Sequence, residues 1–109
     1  MQEQYLIPLS SRRKEMSREI CVIQNVQLTE LHNEAILFSI DSGVYYSLDE
    51  IGLDIWSLIS NSRDSIRIKE IEDYLLITYQ ISEHDKETIS ADVKDFIYSL
   101  ESKGLVKIT

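Results

Sequence analysis

The sequence predicts an α+β domain in which a small three-stranded antiparallel sheet is followed by three helices. Two central runs alternate side-chain character with period 2 around a turn, and three later stretches repeat apolar residues at helical spacing. Short polar or glycine-marked segments separate them. A chain of 109 residues is long enough for one core and too short for two.

In chain order, Met1–Arg18 shows no period and contains the only proline, so it reads as a flexible N-terminal extension ahead of a domain spanning Glu19–Thr109. Ile20–Ile23 reads as a short strand, and Val26, Leu28 and Leu31 as another before the turn-like His32-Asn33-Glu34. Ile36, Phe38 and Ile40 then alternate with Ala35, Leu37 and Ser39. Val44, Tyr46 and Leu48 repeat the pattern with Tyr45 and Ser47 on the other face. Between these runs, Asp41-Ser42-Gly43 suits a three-residue hairpin connection whose last residue sits at positive φ, where a side chain would clash.

Helical spacing begins with Ile51, Ile55, Leu58 and Ile59, with Trp56 beside them as a core residue. Asp49 or Ser47 is placed to cap this helix, and Ser47-x-x-Glu50 reads as a capping box. Gly52 would let the helix pack close to the sheet. After a polar linker, Ile68, Ile71, Leu75 and Tyr79 form a second stripe, with Ser65 as its cap. Ser82 and Asp85 frame the start of a third helix whose apolar face is Ile89, Val93, Phe96, Ile97 and Leu100. Gly104 followed by Leu105 fits a left-handed helix stop in which the residue after the glycine packs back on the last turn.

Charge and composition narrow the function. Net charge is −8, but Met1–Arg18 holds four basic and two acidic residues, whereas Glu19–Thr109 holds seven basic and seventeen acidic. So acidic a body lacks the Lys/Arg cluster that displaces counterions from phosphates, and basic peptides are its more natural partners. No apolar run approaches the ~20 residues of a membrane span, and no secretion signal opens the chain, so a cytoplasmic protein is expected. Cys21 stands alone in an apolar run and reads as a buried small hydrophobe. His32 and His84 are far apart with no ligand-spaced partner, and the three glycines make no phosphate-cradling loop. No catalytic residues, no metal site and no cofactor are expected.

The segment running Asp41-Ser42-Gly43-Val44-Tyr45-Tyr46-Ser47-Leu48-Asp49-Glu50, then Gly52, Ile55 and Trp56, resembles the PqqD-like family. These are small peptide-recognition domains (RiPP recognition elements) of ribosomal-peptide biosynthesis, and within them the similarity is to the stand-alone leader-binding proteins of lasso-peptide pathways. A helix-ending Ser102-Lys103-Gly104-Leu105-Val106 supports it, and the resemblance covers Glu19–Ile108. It implies a winged helix-turn-helix-like fold whose third strand and third helix form a groove, to which a leader peptide adds as an antiparallel strand. Carried onto matching positions, Val44, Tyr45, Tyr46, Ser47 and Leu48 supply the strand edge. Asp92, Phe96, Ser99 and Lys103 line the groove, Phe96 as apolar floor and Asp92 as partner for a basic leader residue. The other shoulder of that helix, Ser90, Lys94, Ile97 and Glu101, is the alternative.

The partners so implied are a precursor leader peptide and a leader peptidase or other modifying enzyme of the same pathway, with no nucleic acid and no membrane. One departure is Arg67, where the family pattern has a small capping residue at the start of the second helix. Tyr5-Leu6-Ile7-Pro8 matches the Tyr-x-x-Pro pattern of lasso leaders, so the extension is either a tail or a groove-occupying segment. A different class of function, a winged-helix DNA-binding transcriptional regulator, shares the topology. The acidic third helix argues against it.

Overall fold

The computed structural model describes residues 18–23, 25–32 and 34–109. Nearly all of the expected extension, with Tyr5-Leu6-Ile7-Pro8, lies outside the described residues, as does Asn33 of the turn. The chain forms β1 (Glu19–Val22), β2 (Val26–Leu31), β3 (Glu34–Ser39), β4 (Tyr45–Leu48), α1 (Glu50–Asn61), β5 (Ile66–Arg67), α2 (Ile68–Thr78), a 3₁₀ turn (Glu83–Asp85), α3 (Lys86–Ser102) and β6 (Val106–Ile108). The α+β, winged helix-turn-helix-like class is the one expected, and β2-β3-β4 is the expected antiparallel sheet.

Not all strands precede the helices, however. A second three-stranded antiparallel sheet, β5-β1-β6, ties the two ends of the described chain to the linker between α1 and α2. Its outer strands are two and three residues long, too short to show a period.

The β3–β4 hairpin turns where Asp41-Ser42-Gly43 places it. Gly43 has φ +73°, and the Ser39 and Gly43 N–H groups donate to the carbonyls of Val44 and Ser39 at 2.9 and 2.8 Å. The connection also takes in Ile40, which ends as an exposed loop residue. Alternation along β3 puts Ala35, Leu37 and Ser39 inside. The bulkier Ile36 and Phe38 lie half-buried on the outer face.

One residue separates β4 from α1. Asp49 is that residue and caps the helix, its Oδ1 accepting from the Gly52 N–H at 2.7 Å. Ser47 stays in β4, so the expected Ser47-x-x-Glu50 capping box does not form. On α1, Gly52, Ile55, Trp56 and Ile59 are buried; Ile51, expected on the buried stripe, is 41% exposed at its rim.

Arg67 occupies the N-cap position just before α2. Arginine has no side-chain acceptor, so only half of a reciprocal box forms: Glu70 Oε1 accepts from the Arg67 backbone N–H and Nε, both at 3.2 Å. The Ile68 N–H, one of the donors a helix start leaves free, is satisfied by the Arg18 carbonyl at 3.1 Å. Ser65, expected as the cap, instead donates to Glu19 on β1.

The last turns of α2 and α3 close alike. Gly104 (φ +75°) donates to Glu101 and Leu105 to Leu100, each at 2.9 Å, and Leu105 is fully buried. Gln80 (φ +52°) donates to Ile77 and Ile81 to Leu76. Both are Schellman closures, with a non-glycine residue in the left-handed position at the first.

One core joins Ile20 of β1, Leu37 of β3, Leu48 of β4, Ile55 and Trp56 of α1, Ile71 and Leu75 of α2, and Val93, Ile97 and Leu100 of α3. Cys21, expected to be buried, is half-buried, because β1 turns Ile20 inward and its neighbour the other way. No helix among the described residues is long and apolar enough to cross a membrane.

Candidate functional site

Sheet order β2-β3-β4 makes β4 an edge strand, paired only with β3 among the described residues. In an antiparallel pair, residues alternate between positions that exchange backbone hydrogen bonds and positions whose N–H and C=O point away. The phase is fixed here from both sides of β3. Ser39 donates to Val44 across one side, and Ile40 donates to Asn25 across the other at 2.9 Å. Stepping by two along the register, Leu37 bonds Tyr46 and Ala35 bonds Leu48, while Phe38 and Ile36 turn toward β2.

The opposite positions on β4, Tyr45 and Ser47, therefore direct their N–H and C=O groups outward. Two donors and two acceptors at this edge have no partner among the described residues. The Phe38–Tyr45 pair agrees: its ring centroids are 4.7 Å apart, as suits the closer, non-hydrogen-bonded type of cross-strand pair.

The side chains of β4 divide by face. Tyr45 is 69% exposed and packs on Phe38 outside the sheet with the two rings tilted by 41°, so only its backbone serves the edge. Leu48 is buried in the core, and its backbone is held by Ala35. Tyr46 is half-buried and meets Phe96 of α3 edge-to-face, with ring centroids 6.0 Å apart. The Lys103 ammonium lies 5.7 Å from the Tyr46 ring centroid, within reach of a cation–π attraction.

Phe96 is also the reason for Gly52. A Cβ there would stand 3.3 Å from two Phe96 ring atoms and 3.0 Å from Asp49 Oδ1, so the glycine makes room for the ring of α3 and the cap of α1 rather than for the sheet.

Two concavities adjoin along this seam. One of about 400 Å³ is lined by Tyr46, Ser47, Leu48, Asp49 and Phe96. The other, about 360 Å³, continues between α1 and α3, where Ile51, Gly52, Ile89 and Phe96 form an apolar floor and Asp49, Asp92 and Asp95 contribute carboxylates. Of the expected helix residues, Asp92, Phe96 and Lys103 thus face the seam, with Ser99 between Phe96 and Lys103 on the same stripe. The alternative shoulder turns elsewhere: Ser90 donates to Glu72 of α2 at 2.9 Å, and Ile97 is fully buried.

Ile51, Ile89 and Asp95 were not among the expected site residues. Their signal is weak in sequence, since Ile51 and Ile89 read as core apolar positions and Asp95 as one of many helix carboxylates. Among the described residues no group of three or more His, Cys, Asp or Glu side chains is arranged to hold a metal ion.

The family model for coenzyme PQQ synthesis protein D (PqqD) matches residues 34–106, which takes in β3, β4, all three helices and the start of β6. The chain belongs to the PqqD family. Among solved structures this PqqD-family chain is similar to TbiB1 in complex with the TbiA(beta) leader peptide, at 28% identity and a TM-score of 0.67, over 80% of this chain and 94% of that one. No curated protein matches it in sequence.

Proposed function

We propose that this PqqD-family chain is a non-catalytic module that captures the leader peptide of a ribosomally synthesised precursor, of the lasso type, by strand addition at β4. It then presents that leader to a partner leader peptidase or other modifying enzyme. The observation that carries the reading is the open β4 edge, with the outward N–H and C=O of Tyr45 and Ser47, lying against an apolar concavity floored by Phe96. Backbone pairing at such an edge supplies affinity, and pockets for alternate side chains supply selectivity. Similarity to TbiB1, a protein solved with a leader peptide, supports the same reading. The outward backbone of Tyr45 and Ser47, with the Tyr46 ring and Asp92, Phe96, Ser99 and Lys103, forms the binding surface, while Val44 and Leu48, bonded to β3, hold the strand in place.

The test is a titration of labelled leader peptides, beginning with that of TbiA(beta), into wild type and Ser47→Pro. Proline at 47 deletes an outward donor and leaves the bonds of Tyr46 and Leu48 to β3 intact. Saturable binding that falls tenfold or more in Ser47→Pro, at an unchanged melting temperature, is the expected result. Equal affinity in a folded Ser47→Pro protein contradicts strand addition at this edge. Presentation is measured separately, as the rate of leader removal by the pathway's peptidase with and without this chain.

A further inference from the structure

We infer that the groove along β4 is electrically polar and selects the order of charges on its peptide: a basic side chain on the N-terminal side of an apolar one, and an acidic side chain on the C-terminal side. This rests on the strand-addition reading above and extends it to a sequence pattern.

The polarity comes from the opposed directions of β4 and α3. Lys103, just past the end of α3, lies over Tyr46 near the start of the strand. One stripe back along the helix, Phe96 meets Tyr46 and Gly52 at mid-seam. Further back, Asp92 and Asp95 share a concavity with Asp49 and Ile51, beyond the strand's end. The seam therefore runs from an ammonium to three carboxylates in the direction of β4.

One Asp49 oxygen accepts from the Gly52 N–H. Asp92, Asp95 and Lys103 are exposed and form no ion pair among the described residues. Asp41 of the β3–β4 hairpin accepts from Asn25 Nδ2 at 3.3 Å. Both ends of the seam thus present charges available to a ligand.

A peptide antiparallel to β4 enters at the carboxylate end and leaves at Lys103. Asp92 and Lys103 are separated by roughly 16 Å at 1.5 Å per helical residue; charged side chains four residues apart on one face of an extended peptide have backbone positions about 13 Å apart, and the length of the side chains covers the rest. Side chains facing the seam recur every second residue. The selected pattern is therefore basic-x-apolar-x-acidic, with the apolar side chain opposite Tyr46 and above Phe96. Complementary charges of this kind fix register and reject the wrong ligand more than they add affinity.

The experiment is selection from a displayed random ten-residue peptide library against the full chain and against a double swap, Asp92→Lys with Lys103→Glu, which alters exposed positions only. Wild type should enrich peptides with the basic residue first, and resynthesised winners should bind roughly tenfold tighter than versions with the two charges exchanged. That ratio should shrink at high salt, and the double swap should invert it.

Winners that lose affinity in Ser47→Pro yet show no charge order, or whose order the double swap leaves unchanged, overturn the inference while leaving strand addition standing. Failure to enrich any peptide, or winners indifferent to Ser47→Pro, overturns strand addition and the inference with it.

Discussion

Tyr79 holds α2 to α1 through one hydrogen bond, its phenol hydroxyl donating to Asp54 Oδ2. That bond needs the neutral phenol, and with desolvation and the Asp54 charge it pushes the Tyr79 pKa from 10.0 up to about 12. Because the folded pKa is raised, the stabilisation is complete below the unfolded value near 10.0 and is lost as pH rises through about 12. A phenolate titration followed by ultraviolet absorbance should resolve one tyrosine that ionises late, and Asp54→Ala should move it back among the others. A single early step for all tyrosines in wild type would show that the bond is absent in solution. Phe96 is the other informative side chain. As the ring is half-buried, Phe96→Ala should cost about 2 kcal/mol in denaturant unfolding, less than the ~3–5 of a fully buried ring. Leader affinity should fall with it at temperatures where the variant remains folded.

Two helix ends make a matched pair of tests. Gln80 and Gly104 occupy the same left-handed position of equivalent Schellman closures, at φ +52° and +75°. Space is not the issue at Gly104, where a Cβ would meet nothing within 4 Å, so Gly104→Ala should lose about 1 kcal/mol through backbone strain alone. Gln80→Gly should gain roughly 0.5–1 kcal/mol by relieving that strain. Thermal melts of both variants check the pair; equal and opposite failure, with Gln80→Gly destabilising, would show that the α2 closure is held by the Gln80 side chain.

What was readable from sequence at this scale was local. The Asp49 cap, the Gly43 turn and the Gly104 stop each depend on a few neighbouring residues, and each is found. The β5-β1-β6 sheet was not readable, because Ile66 and Arg67 form too short a strand to show a period, and their partner Glu19–Ile20 lies on the far side of three other strands and a helix. The start of α2 escaped for a similar reason: its first donor is satisfied by Arg18, a tertiary contact that no capping residue announces.

At the scale of the molecule, charge and topology together separate the two classes of function. Helix α3 carries two lysines against four carboxylates, so insertion beside phosphates would bring like charges together. Beside the strand edge proposed to take a peptide, the same carboxylates would suit a basic end. The edge itself was only half readable: the alternation of Val44 to Leu48 identified a strand, but that it is terminal in its sheet, and that Tyr45 and Ser47 rather than Tyr46 and Leu48 face outward, follows from pairing with β3.

That phase can be tested residue by residue, by amide hydrogen exchange with and without saturating leader peptide. Strand addition at β4 predicts new protection at the Tyr45 and Ser47 amides, with Tyr46 and Leu48, already bonded to β3, little changed. Protection instead along the other open edge of this sheet, at Val26, Leu28 and Glu30 of β2, or none at Tyr45 and Ser47 in a complex shown to be saturated, would contradict it.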